Sequence, residues 1–218
     1  MAYPDLHPID GERIPRLSDV VDIAARSPKP FRLFVELKTS FSDRSLSASP
    51  EALAEATLDV LRKAGFVAHT TLVGFDWPGL LHAKKLEPQI ACWFTTLAQS
   101  WFRDGSPRPE DDPPSAPALA VLRHWAATGT SPWASGFDAV KFDGSILKAI
   151  KAAGGDGWFP FYRDASDDAV REARALGLEV GAWTVNAPDD MRALAARGLD
   201  ALCTDRPDLP LAESGLHA

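Results

Sequence analysis

Glu36 and Lys38 stand two positions apart near the end of a short apolar run, Phe31-Arg-Leu-Phe-Val-Glu-Leu-Lys38. On an extended strand, side chains at that spacing leave the same face. Phe34 shares that face, while Val35 and Leu37 point the other way. An acid and a base turned into a protein are costly unless they are paired or ligated. Two readings stand side by side. In one, the carboxylate binds a divalent cation beside a lysine that steadies an anionic group. In the other, a buried Glu–Lys pair fixes packing. Further apolar runs end in Phe75 and Asp76, in Trp93 and Thr95, in Trp183 and Asn186, and in Thr204 and Asp205. A hard cation wants about six or more oxygens, so Asp76 and Asp205 are possible partners for Glu36. Each reads more readily as a cap that starts a helix or turn. The histidines offer no ligand spacing: His7 and His217 lie near the termini, His69 and His82 near helix ends, and His124 in a presumed helix.

The elements that must position these residues follow from caps and apolar runs. Strands are predicted at 31–38, 71–75, 89–95, 178–186 and 199–205, with 139–142 and 157–162 as two further candidates. The second of these is favoured because it directly precedes the next helix. A helix over 50–64 is marked by Ser49 as N-cap, Pro50 at the first position and Glu51 in the first turn, with Leu53, Thr57, Val60 and Leu61 as its apolar stripe and Gly65 as its stop. Helices are also predicted at 78–86, 145–153, 166–176 and 188–197; Ser166, Asp167 and Asp168 start the third of these and Pro188 the last. The Pro- and acid-rich stretch 103–117 reads as an exposed loop inside an insertion at about 97–136. Trp101, Trp125 and Trp133 flank that loop, either packing the insertion onto the body or forming a substrate lid.

Helices alternating with short apolar strands mean parallel βαβ units in one α/β domain over residues 1–218, and a (β/α) barrel fits best. A doubly wound open sheet is the alternative, but no G-x-G-x-x-G or P-loop follows any strand. In barrels the active site lies at the C-terminal ends of the strands, where Glu36 and Lys38 fall.

Composition narrows the class. The chain has 218 residues, is 45% hydrophobic and carries a net charge of −7, which excludes global disorder and fibres. Its acidic balance, with no basic run longer than Lys84-Lys85, argues against nucleic acid as a partner. No apolar run is long enough to span a membrane, and no signal peptide is visible at Met1, so a cytoplasmic location is expected. Cys92 and Cys203 each sit in an apolar run and read as buried small hydrophobes.

Taken in order, several segments resemble one family. Ile14-Pro-Arg-Leu-Ser-Asp-Val-Val, then Val35-Glu-Leu-Lys38 and Gly74-Phe75, resemble the middle of glycerophosphodiester phosphodiesterases. Gly177-Leu-x-Val180, Trp183-Thr-Val-Asn186 and Gly198-Leu-Asp200 through Thr204-Asp-x-Pro207 resemble their C-terminal end, so the likeness runs from about 11 to 208. The resemblance implies a TIM-type barrel that hydrolyses glycerophosphodiesters to an alcohol and glycerol 3-phosphate with Ca²⁺ or Mg²⁺. By position, Glu36 matches the family's metal-binding glutamate and Lys38 the lysine near the phosphate; Trp183 and Phe75 match pocket-lining positions. The family's early His-Arg-Gly, Glu-x-Asp and His-Asp motifs have no counterpart, since no histidine here precedes Arg-Gly or Asp. The expectation is an incomplete barrel of about six of eight units, cut short at an internal methionine, with its own turnover in question. Its two sheet edges would be open to self-association. The alternatives are a non-catalytic remnant that binds a phosphate ester, and a lyase on a similar barrel.

Overall fold

Six parallel strands, each hydrogen-bonded to the next in chain order, carry the fold of the computed structural model, which describes residues 9–29, 31–103, 105 and 107–209. In chain order the elements are α1 (Leu17–Ala25), β1 (Leu33–Glu36), α2 (Pro50–Lys63), β2 (Thr70–Gly74), α3 (Trp77–Leu86), β3 (Ala91–Thr95), α4 (Ala116–Thr128), α5 (Ile146–Ala152), β4 (Gly157–Phe159), α6 (Asp167–Ala175), β5 (Glu179–Ala182), α7 (Pro188–Ala196) and β6 (Ala201–Leu202). A doubly wound sheet must reverse its strand order at a switch point. Here the order runs β1 to β6 without reversal, so the sheet is a curled half-barrel and the open-sheet alternative is excluded. His7 and His217 lie outside the described residues.

Local chemistry explains most boundaries. The Ser49 hydroxyl accepts from the Ala52 amide at 3.1 Å, Ser145 from Lys148 at 3.2 Å, and Ser166 from Ala169 at 3.2 Å, each supplying a first-turn amide with the acceptor it lacks. On α2 the buried stripe is Pro50, Ala54, Thr57, Leu58 and Leu61, whereas Leu53 and Val60 are only partly covered. The apolar face is therefore turned from the expected one, towards Ala54 and Leu58. Of the two candidate strands, 157–162 supplies β4, while Ala139–Lys141 is a single 3-10 turn. The loop at 103–117 is not wholly exposed either: Asp111 is buried and accepts from Ser100 and, at 3.2 Å, from Arg108.

The sheet separates two apolar layers. On its outer face Leu72, Cys92, Phe94, Trp158 and Val180 pack against helix residues such as Leu58, Leu61, Leu80 and Ile150. Each fully buried leucine there contributes about 1.5–3 kcal/mol. On the concave face Val73, Trp93 and Phe159 form a smaller cluster joined by Trp183 and Ala201. Two glycines make room for it. A Cβ on Gly157 would stand 2.5 Å from the Trp93 ring, and one on Gly181 would stand 2.6 Å from the Phe159 ring. The Trp93 indole then reaches across the concave side to donate to Glu179 at 3.1 Å.

Candidate functional site at the strand ends

Register carries the side chains of interest to one rim. Phe34 and Glu36 of β1 pair with Thr71 and Val73 of β2, and Val73 pairs with Trp93 of β3. Phe34 sits edge-on to Trp93 with ring centroids 5.1 Å apart, so Glu36, two residues on, faces the mouth of the concave side. Lys38 Nζ lies 3.7 Å from Glu36 Oε2, and the two side chains are 82% and 37% exposed respectively. The buried packing pair is thus not what forms. Acid and base stand open to solvent, where such a pair contributes little to stability and leaves both charges available.

Across the rim, Phe75 and Trp183 meet edge-to-face at 5.2 Å, and Phe161 packs on the other side of Trp183 at 5.4 Å. The Trp183 indole donates to the Phe159 carbonyl at 3.2 Å, which fixes the ring as a wall. All four candidate residues therefore lie at the C-terminal ends of β1, β2 and β5.

The acids proposed beside Glu36 are otherwise engaged. Asp76 is 1% exposed and makes no cap bond at α3; its carboxylate takes the Thr39 hydroxyl at 2.5 Å and both terminal nitrogens of Arg44. Arg44 also donates to the Pro132 carbonyl at 3.2 Å, so Asp76 ties the loop after β1 to the insertion. Nothing local in the sequence announces this clamp, because its partners lie 32 or more positions away. Asp205 accepts from Asn186 Nδ2 at 3.0 Å, while Asn186 Oδ1 takes the Thr204 hydroxyl and the Asp205 amide. Cys203 is exposed rather than buried, because β6 is only two residues long and forms one edge of the sheet. Partial burial raises the Cys203 thiol pKa, and the charges of Asp205 and Glu36 add to the rise.

Among the described residues, no group of three His, Cys, Asp or Glu side chains could hold a metal ion. Glu36 is one carboxylate donor, far short of the oxygens a hard cation needs. The described histidines are elsewhere: His82 pairs with Glu55 at 2.8 Å, His69 lies against Phe66, and His124 is exposed on α4.

Beside this rim a cavity of about 690 Å³ opens between the strand ends and the insertion. Phe75 is its shared wall with the mouth; Glu36, Lys38 and Trp183 do not line it. Two of the tryptophans that flank the 103–117 loop pack the insertion down, with Trp133 meeting Phe41 at 5.2 Å, Trp125 at 6.0 Å and Phe102 at 6.3 Å. Asp164 also lines the cavity. Burial lifts its carboxyl from 3.8 to about 6, against the Gln99 amide, Arg103 and Arg108, which pull it down. The native state thus keeps a proton that the unfolded chain releases, and stability falls as pH rises from 3.8 to about 6. Thermal midpoints measured across that window should fall more, or rise less, in the wild type than in Asp164→Asn. An identical slope in both proteins would contradict the assignment.

Fold and site together define a protein of the (β/α)-barrel type with its polar groups gathered at the strand C-termini. Its resemblance to one barrel family holds: residues 120–209 match the glycerophosphoryl diester phosphodiesterase family. The chain is also similar in structure to the putative glycerophosphoryl diester phosphodiesterase of Silicibacter pomeroyi, at 25% identity and a TM-score of 0.64, over 93% of this chain. The glycerophosphodiester phosphodiesterase of Parabacteroides distasonis shares the fold at 18% identity, a TM-score of 0.62 and 98% coverage. So does an Oleispira antarctica phosphodiesterase solved with its product sn-glycerol 3-phosphate, at 20% identity, a TM-score of 0.57 and 91% coverage. The chain spans 57%, 70% and 60% of those three proteins, respectively. No curated protein matches it. The matched residues include Trp183 but not Glu36, Lys38 or Phe75.

Proposed function

We propose that the strand-end mouth is the substrate site of a glycerophosphodiester phosphodiesterase. The observation that carries this reading is the solvent-open Glu36–Lys38 pair at the mouth, facing the Phe75–Trp183 wall. The Lys38 ammonium holds a non-bridging phosphate oxygen and offsets charge gathering there. The Phe75 and Trp183 rings pack the carbon skeleton on either side of the phosphate. In the reaction, water adds hydroxide to phosphorus, the P–O bond to the alcohol breaks, and the alcohol takes the remaining proton. Glu36 offers one oxygen towards a Ca²⁺ or Mg²⁺ set, but the described residues do not complete it, so the ion is assigned no step.

Proton transfer by a positioned group is worth roughly 10²–10⁴ in rate, and no described histidine reaches the mouth, so turnover is expected to be slow. The test is choline release from glycerophosphocholine by the purified chain with Ca²⁺ or Mg²⁺, beside Glu36→Ala. Slow release that is lost in the variant is expected. Release unaffected by the substitution would overturn the placement of the site at Glu36, and none from a folded sample would overturn the hydrolase reading.

Self-association through the β1 edge accompanies this proposal. Among the described residues strand β1 has a neighbour on one side only, and the exposed Ile23, Phe31 and Phe34 lie on α1, just before β1 and on β1 itself. Sedimentation velocity at micromolar concentration should show a dimer; a monomer throughout would sink the idea.

A further inference from the structure

Asp76 is a buried carboxylate to which the hydrolase reading gives no part. It stands two residues past β2 at the start of α3, where an acid normally caps the helix, yet it makes no cap bond. Its side chain is 1% exposed. A buried ion pair is a weak source of stability, because desolvation offsets much of the attraction. What the carboxylate does is hold one loop. Its Oδ2 accepts the Thr39 hydroxyl at 2.5 Å and one Arg44 nitrogen, and its Oδ1 accepts the other Arg44 nitrogen at 3.1 Å.

Thr39 follows Lys38 directly. The Lys38 side chain is 82% exposed and meets Glu36 at a loose 3.7 Å, so packing does not place its ammonium. The main chain must do so. On one side of Lys38, Leu37 is 2% exposed and donates its amide to the Val73 carbonyl at 2.8 Å. The two segments lie close there, since a Cβ on Gly74 would stand 3.2 Å from the Leu37 carbonyl oxygen. On the other side the sheet gives no hold. Among the described residues, the main-chain groups of Lys38 and Thr39 make no hydrogen bond. The next bond along, from the Ser40 amide to the Ser47 hydroxyl at 2.9 Å, stays within the same loop. The Thr39 hydroxyl is therefore the first tie between the chain after Leu37 and the body of the protein, and Asp76 is what it is tied to.

We infer that Asp76 and Thr39 are positioning residues for Lys38, their contact holding the ammonium where it meets a phosphate oxygen. The inference rests on the phosphate-site reading under Proposed function. Neither residue touches substrate in that reading. They lessen the freedom that the lysine and its loop lose when the anion binds, while the Arg44 guanidinium keeps the Asp76 carboxylate charged and fixed.

The experiment is calorimetric titration of sn-glycerol 3-phosphate into the full chain and into Thr39→Val, Thr39→Ser, Lys38→Ala and the Lys38→Ala, Thr39→Val double variant. Thr39→Val keeps the shape and removes the hydroxyl. It should weaken binding about 3–10-fold, the cost of ordering a side chain and loop that have been freed. Thr39→Ser keeps the hydroxyl and should bind as the wild type does. In the Lys38→Ala background Thr39→Val should add nothing, because the group it places is gone. Wild-type affinity in Thr39→Val, or the same fold loss with and without Lys38, would overturn the inference and leave the phosphate site standing. No binding by a folded wild type, or wild-type affinity in Lys38→Ala, would overturn the phosphate-site reading and this inference with it. Thr39→Ala removes the hydroxyl without setting a methyl group against the carboxylate, and decides the matter if Thr39→Val fails to fold.

Discussion

Arg44→Ala should destabilise the fold by about 3–5 kcal/mol, the cost of leaving a buried charge without its partner. The carboxylate of Asp76 is 1% exposed and cannot turn to water when the guanidinium is removed, leaving it only the Thr39 hydroxyl. Three segments lose their tie at once, because Arg44 also holds the Pro132 carbonyl of the insertion. The reverse change, Asp76→Ala, should cost less, since the Arg44 side chain is 41% exposed and can hydrate. Urea unfolding of both single variants and of the double variant checks this. The double variant should fall well short of the sum of the singles, as expected for groups in direct contact. An Arg44→Ala cost below about 1 kcal/mol, ordinary for a surface position, would contradict the clamp.

Lys38→Ala should act on binding rather than folding. Its side chain is 82% exposed and its ion pair with Glu36 is a loose 3.7 Å, so the thermal midpoint should hardly move. Towards a phosphate the same ammonium forms a charge-assisted hydrogen bond, and its loss should weaken binding by about 10–100-fold. Lys38→Arg retains the charge and should lose much less, whereas a role in packing alone would make both variants alike in binding and lower both in stability.

Much of the scaffold is legible because local chemistry decides it. Ser49-Pro50, Ser145, Ser166 and Pro188 announce helix starts within a residue, and short apolar runs announce strands on which the pleat puts Glu36 and Lys38 on one face. Helix α1 is not legible in that way. It begins after Arg16, which has no side-chain acceptor for a first-turn amide; instead the Asp19 carboxylate reaches back to accept the Arg16 amide at 2.9 Å. Helix α4 hides behind prolines, although Ser115-Ala-Pro117 carries a start signal. The role of Asp76 escapes a linear reading because Arg44 and Thr39 come from a different loop. Cys203 reads as buried from its apolar neighbours, but β6 is the sheet's edge and exposes it. The cavity is a property of the folded insertion, since Phe41, Trp133 and Asp138 come together only after it packs on the strand ends.

The central claim is that the Glu36–Lys38 mouth receives the phosphate of a glycerophosphodiester. Calorimetric titration of sn-glycerol 3-phosphate into the wild type and Lys38→Ala tests it most directly. Saturable one-site binding by the wild type and about 10–100-fold weaker binding by the variant, at equal thermal stability, are expected. Equal affinity in the two proteins, or no binding to a folded wild type, would contradict it.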